Sequence, residues 1–185
     1  MLKPTLLALA LTLPALSMAA SKPSKAAASK ASASAEVDNP FTAERNQAAG
    51  NLSTAIVIVQ KMGLECKGKG GLSEEKIKTA QQKWLKTNRD YLMMHADYMN
   101  GYLGSIKQIQ GEEAARSAVE DMRKLFNTQA NEAIKASMEK NGQDTACTRY
   151  YEAMDAGKMD IKSNHPDYKV LKGMLEYSQK NAPKK

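Results

Sequence analysis

The sequence predicts an all-α domain, a four-helix up-down bundle with an additional short C-terminal helix. Three observations carry that expectation. From Asn39 to Gln179 no segment alternates with the two-residue period of a strand except the short run Ala55-Ile56-Val57-Ile58-Val59. That run has no second candidate strand to pair with, so it reads as part of a helix. Finally, the chain has 185 residues, 42% of them hydrophobic and 25% charged, which suits one domain and leaves no room for a second full one.

The elements follow from start and stop signals. A first helix opens after Asn39-Pro40, where Pro suits the first turn, and ends at Gly63. Lys67-Gly68-Lys69-Gly70-Gly71 is a loop. Ser73 is then the N-cap of a second helix, with Glu74 and Glu75 complementing the helix dipole. Ile77, Ala80, Trp84, Asn88, Tyr91, Leu92, His95 and Tyr98 keep one phase, which continues through Met99, Tyr102, Ile106 and Ile109. The spacing therefore predicts one long, bent helix to Gln110, roughly 55 Å at 1.5 Å per residue. A third helix runs from Gly111 to the stop at Asn141-Gly142, and a fourth from Asp144 or Thr145 to Gly157. Pro166 opens a short fifth helix bearing Leu171, Met174 and Leu175.

The ends of the chain read differently. Met1 to Ala19 has the three-part layout of a signal peptide: Lys3, an apolar stretch from Leu6 to Leu16, then Ser17 and Ala19 at cleavage spacing. The apolar stretch is too short to stay as an anchor, and no Cys lies near the cut to accept lipid. The mature protein is thus expected to be soluble and periplasmic or secreted. Removing residues 1–19 deletes only Lys3 among the charges, so roughly +6 of the formal +7 remains. Residues 20–38, rich in Ala, Ser and Lys, cannot bury enough apolar area to offset chain entropy and read as a disordered linker. Its Lys22, Lys25 and Lys30 are placed to make weak contact with an anionic envelope surface. The bundle domain is expected over residues 39–180, with a frayed basic tail over 181–185. Without both tails little net charge is left, which argues against nucleic-acid binding.

An exported chain with two Cys should join them. Cys66 falls just past the first expected helix and Cys147 at the start of the fourth, which an up-down bundle places at one end. Neither Cys has a neighbouring His or a Cys-x-x-Cys partner, so the bond reads as structural. Asn51-Leu52-Ser53 matches a glycosylation sequon but lies inside a predicted helix and carries no weight.

Catalytic patterns are missing. The glycines of the 67–71 loop lack Walker spacing, and there is no His-Glu-x-x-His or haem-attachment sequence. No cofactor is expected. The one unusual patch is on the second helix, where Asn88 and His95 sit near the centre of the apolar face among Trp84, Tyr91, Tyr98, Met99 and Tyr102. These seven side chains are read either as a hydrogen-bonded polar layer or as a pocket for a small ligand. The only metal reading is Cu(I) on Met94, His95 and Met99, since thioether and imidazole suit that ion. On the first helix Val57 and Ile58 point away from the apolar face and are the expected surface for a protein partner if no other helix covers them.

The helix order and the two Cys are similar to the layout of secretin pilot proteins, toxin-neutralising immunity proteins and secreted helical chorismate mutases. The chain lacks the lipid-bearing Cys usual in pilot proteins. Its Arg45, Arg89, Arg116, Arg123 and Arg149 do not fall into the mutase spacing. The resemblance is one of layout. The expected function is that of an exported, non-enzymatic helical protein that binds a protein partner as an inhibitor, immunity protein or assembly accessory. A small-ligand or Cu(I) carrier using the His95 patch is the alternative, and a small secreted helical enzyme the second.

Overall fold

A computed structural model of the protein describes residues 40–181. The expected signal peptide, the linker and residues 182–185 lie outside the described residues, and Asn181 is the last residue of a helix. Among the described residues there are six helices and no strand: α1 (Ala43–Glu65), α2 (Glu74–Thr87), α3 (Arg89–Gln110), α4 (Glu112–Asn141), α5 (Gln143–Asp155) and α6 (Tyr168–Asn181). No described helix is long and apolar enough to cross a membrane.

The first helix begins later than Pro40 suggests, because the Thr42 hydroxyl accepts from the Arg45 amide and serves as the N-cap. It also runs through Gly63 to Glu65. There the missing side chain matters: a Cβ on Gly63 would collide with Gln81, whose Nε2 donates to the Val59 carbonyl at 2.6 Å. Ser73 caps α2 as expected, accepting from Lys76 N. The last helix starts at Tyr168, two residues beyond Pro166.

The long second helix of the sequence reading is two helices. Asn88 leaves helical geometry at φ −98°, ψ 11°, ending α2 and starting α3. A single non-helical residue hardly disturbs the phase, and Leu92 N still donates to the Asn88 carbonyl, so the apolar spacing runs across the break. As a result the disulfide is also placed differently. Cys66 is the C-cap of α1, but Cys147 lies one turn inside the fifth helix, not at the start of a fourth.

The break divides the core in two. One cluster gathers Val59, Met62 and Cys66 of α1 with Ile77, Ala80 and Trp84 of α2 and Cys147, Tyr151 and Met154 of α5. The other gathers Ala48, Ala49 and Leu52 of α1 with Met94 of α3, Ile161, and Leu171 and Met174 of α6. Ile56 and Leu92 touch both clusters. Thus α1 runs through both cores, which accounts for its apolar run, while the clustered buried residues of α2 and α5 belong to the first and those of α3 and α6 to the second. Hydrogen bonds set the directions. Tyr98 reaches Asn46 and His95 reaches Ser53, so α3 is antiparallel to α1. Gly50 lies against Phe126 and Thr54 bonds Gln129, so α4 runs parallel to α1.

The loop between α5 and α6 is threaded past the break. Lys83 Nζ donates to Asp155 O, Trp84 Nε1 to Met159 O at 3.0 Å, and Ile161 N donates to Asn88 Oδ1 at 2.7 Å. The disulfide closes 81 residues of sequence, and its two sulfur-bearing residues are fully buried. Chain entropy for such a loop predicts that the Cys66→Ser, Cys147→Ser double variant loses about 4.5 kcal/mol of stability. Urea unfolding of the oxidised protein and the double variant measures it, and a loss below about 1 kcal/mol would contradict the expectation.

Candidate functional site

The residues singled out on the apolar face divide among four places. Trp84 and Asn88 belong to the helix break. Both are buried, and Asn88 uses both ends of its amide: Nδ2 donates to Trp84 O at 2.9 Å while Oδ1 accepts from the Ile161 amide. Tyr91 turns toward α6, where burial first and the neighbouring Tyr168 hydroxyl second push its own hydroxyl upward in pKa. His95 faces α1. Tyr98, Met99 and Tyr102 continue toward the far end of α3.

His95 is 9% exposed, with Nε2 at 3.1 Å from Ala49 O and 2.8 Å from Ser53 Oγ. A carbonyl can only accept, so Nε2 carries the proton and the imidazole is a donor on this side. Ser53 Oγ in turn donates to Ala49 O at 3.0 Å. In this arrangement Nε2 cannot act as a base toward Ser53. The pair is a hydrogen-bonded node joining α3 to α1, and burial depresses the His95 pKa, opposed by the Ala49 carbonyl. The same burial removes the Ser53 hydroxyl from the surface, while Asn51 of the apparent sequon donates to Asp167.

Met94 lines a groove with Phe41 and Met174, whereas Met99 lines a cleft with Met122 and Phe126, and His95 Nε2 is committed to Ala49 and Ser53. Among the described residues no group of three or more His, Cys, Asp or Glu is placed to hold a metal ion. Tyr150 and Tyr151 of the disulfide core leave their buried hydroxyls without a partner among the described residues. Burial pushes Tyr151 up to about 12 and Tyr150 upward as well, so both stay protonated.

Val57 and Ile58 are both half-buried, and Ile58 packs on the disulfide core. By contrast, no residue from 96 to 129 is buried, although this stretch holds the end of α3 and the first half of α4. Ile109, Val119 and Leu125 are 77%, 43% and 51% exposed along it. The hairpin is closed at Gly111, whose φ of 93° needs a glycine, and by an exposed Lys107–Glu112 ion pair of little energetic weight.

At the base of this hairpin α1, α3 and α4 enclose a cleft of about 310 Å³. Tyr98, Met99 and Tyr102 of α3, Met122, Leu125 and Phe126 of α4, and the amides of Asn46, Gln47, Asn51 and Gln129 line it. No lining residue carries a carboxylate, ammonium or guanidinium. A surface cleft without charge and rich in Tyr, Met and Phe has the composition of an interface centre. The α3 half of this cleft was visible in the apolar phase of the sequence. What the sequence did not show is that α1, α3 and α4 meet around one cleft.

His95 gives a pH prediction. Its folded pKa lies below the ordinary histidine value of about 6.5, so the unfolded chain binds the proton more readily. Stability is therefore full above that value and falls as the pH drops through about 6.5 toward 5. Thermal unfolding across this range measures it. His95→Gln, which keeps a donor for Ala49 without titrating, should flatten the profile, and an unchanged slope would contradict the assignment.

The chain matches no known family model, no curated protein and no solved structure.

Proposed function

We propose that the protein is an exported helical binding module, without catalytic activity of its own, that engages a protein partner in the periplasm through the cleft and hairpin formed by α1, α3 and α4. The observation that carries this reading is the charge-free, Tyr- and Met-rich cleft at the foot of a helical hairpin with no buried residue. Apolar side chains left facing water in such a cleft cost free energy, and covering them with a partner returns it. The disulfide supports export, since such bonds persist in oxidising compartments. The roles available are those of an inhibitor, an immunity protein or an assembly accessory. The four-rod, up-down arrangement belongs with this reading: α2 followed by α3, and α5 followed by α6, act as two broken rods beside α1 and α4.

The test is retention of a periplasmic protein by the immobilised, oxidised mature chain, compared with its Leu125→Glu and Val119→Lys variants. Both side chains are exposed, so the substitutions should leave thermal stability within about 0.5 kcal/mol. The expected result is a stoichiometric partner whose affinity for the Leu125→Glu variant falls about tenfold or more. An equal affinity for wild type and both variants would overturn the placement.

A further inference from the structure

A second groove opens between the start of α1, α3 and α6, with a cavity volume of about 230 Å³. It is separate from the cleft against α4, the two being divided by Tyr98, whose hydroxyl is fixed by donation to Asn46 Oδ1 at 2.7 Å. Its walls are the rings of Phe41, Tyr98 and Tyr177 and the thioethers of Met94 and Met174. Phe41 stands edge-on to Tyr98 with ring centres 5.3 Å apart, which sets the angle between those two walls.

Two opposite charges border this apolar space, Arg45 and Asp97. They do not pair with each other, and neither enters any of the ion pairs found among the described residues. The Arg45 guanidinium is held in place from two sides, by donation to Pro40 O at 3.2 Å and by lying 5.2 Å from the centre of the Tyr177 ring. Only one of its nitrogens is used in that hydrogen bond, so other donors remain for an anion. Opposite charges kept apart across an aromatic groove match a ligand that carries both signs itself.

We propose that this groove binds a small zwitterion with an N-methylated ammonium at one end and a carboxylate at the other. The carboxylate sits on the Arg45 guanidinium. The ammonium sits beside Asp97, its methyl groups against Met94, Met174 and the aromatic rings. An unmethylated ammonium is a poorer fit, because it needs several acceptors and the apolar walls would strip its water without replacing it. A methylated one has no N–H to satisfy and gains from the ring faces. The volume of about 230 Å³ limits the ligand to a small molecule. This inference does not rest on the protein-binding reading.

Glycine betaine is the probe, titrated calorimetrically into the oxidised mature chain, with glycine and choline as the two half-matched comparisons. The expected result is saturable one-site binding by betaine, with glycine and choline each weaker by about tenfold or more. Asp97→Asn should weaken betaine about tenfold or more while leaving the thermal midpoint unchanged, because this side chain is exposed and enters no ion pair among the described residues. Arg45→Gln should also weaken betaine about tenfold or more. If that variant fails to fold, Arg45→Lys, which keeps the charge, should bind betaine within a few-fold of wild type. Absence of saturation by about 10 mM betaine overturns the proposal. So does binding that is indifferent to Asp97→Asn. Equal affinity for glycine overturns the methylammonium assignment, and equal affinity for choline the Arg45 assignment.

Discussion

The amide of Asn88 is the interaction on which the rest of the arrangement depends. Its side chain holds the end of α2 through Trp84 O and, at 2.7 Å, the amide of Ile161 in the loop that links α5 to α6. The residue is 1% exposed, so neither contact can be replaced by bulk water. A buried amide left without its acceptor costs about 1–3 kcal/mol, a large share of the 5–15 kcal/mol by which such a domain is stable. One side chain thus ends one helix, admits the next and fastens a distant loop against both.

Two cores in series follow from that break. The disulfide secures the core of α2 and α5, whereas the core of α3 and α6 is tied by the His95–Ser53–Ala49 node and by apolar contact. The α3–α4 hairpin turns at the end of the molecule that the disulfide does not staple, and no residue from 96 to 129 is buried. Its exposed ion pairs contribute at most about 1 kcal/mol each, so their number says little about its rigidity. Both grooves flank α3 at this end, on opposite sides of Tyr98. The covalently stapled end is therefore separate from the end where the surface offers binding chemistry.

Much of the fold was legible in the sequence, for physical reasons that can be named. A helical period with no partnered strand run, glycine stops at Gly111 and Gly142, and the Ser73 cap place most helix ends within a few residues. The break at Asn88 was not legible. Periodicity measures phase, and a one-residue interruption followed at once by another helix preserves it. Nor was the partner of Asn88, since Ile161 lies 73 residues away in a loop without periodic pattern. Missing the break also shifted the helix to which Cys147 was assigned.

The candidate site was legible only in part. Asn88 and His95 share one apolar phase in the sequence and both are buried, but residues of one phase meet different neighbours along its length. Trp84 and Asn88 meet a loop, His95 meets Ser53, and Tyr98 and Tyr102 meet Phe41. Aromatic residues from three helices or their approaches converge where the sequence shows only isolated Phe41, Tyr98 and Tyr177.

Native-state hydrogen exchange at the Ile161 amide tests the central claim most directly. If Asn88 fastens the loop as described, that single amide should exchange as slowly as those in the middle of α2, well below the exposed loop positions Lys162 and Ser163 beside it. Exchange of Ile161 at the rate of those neighbours would contradict the account.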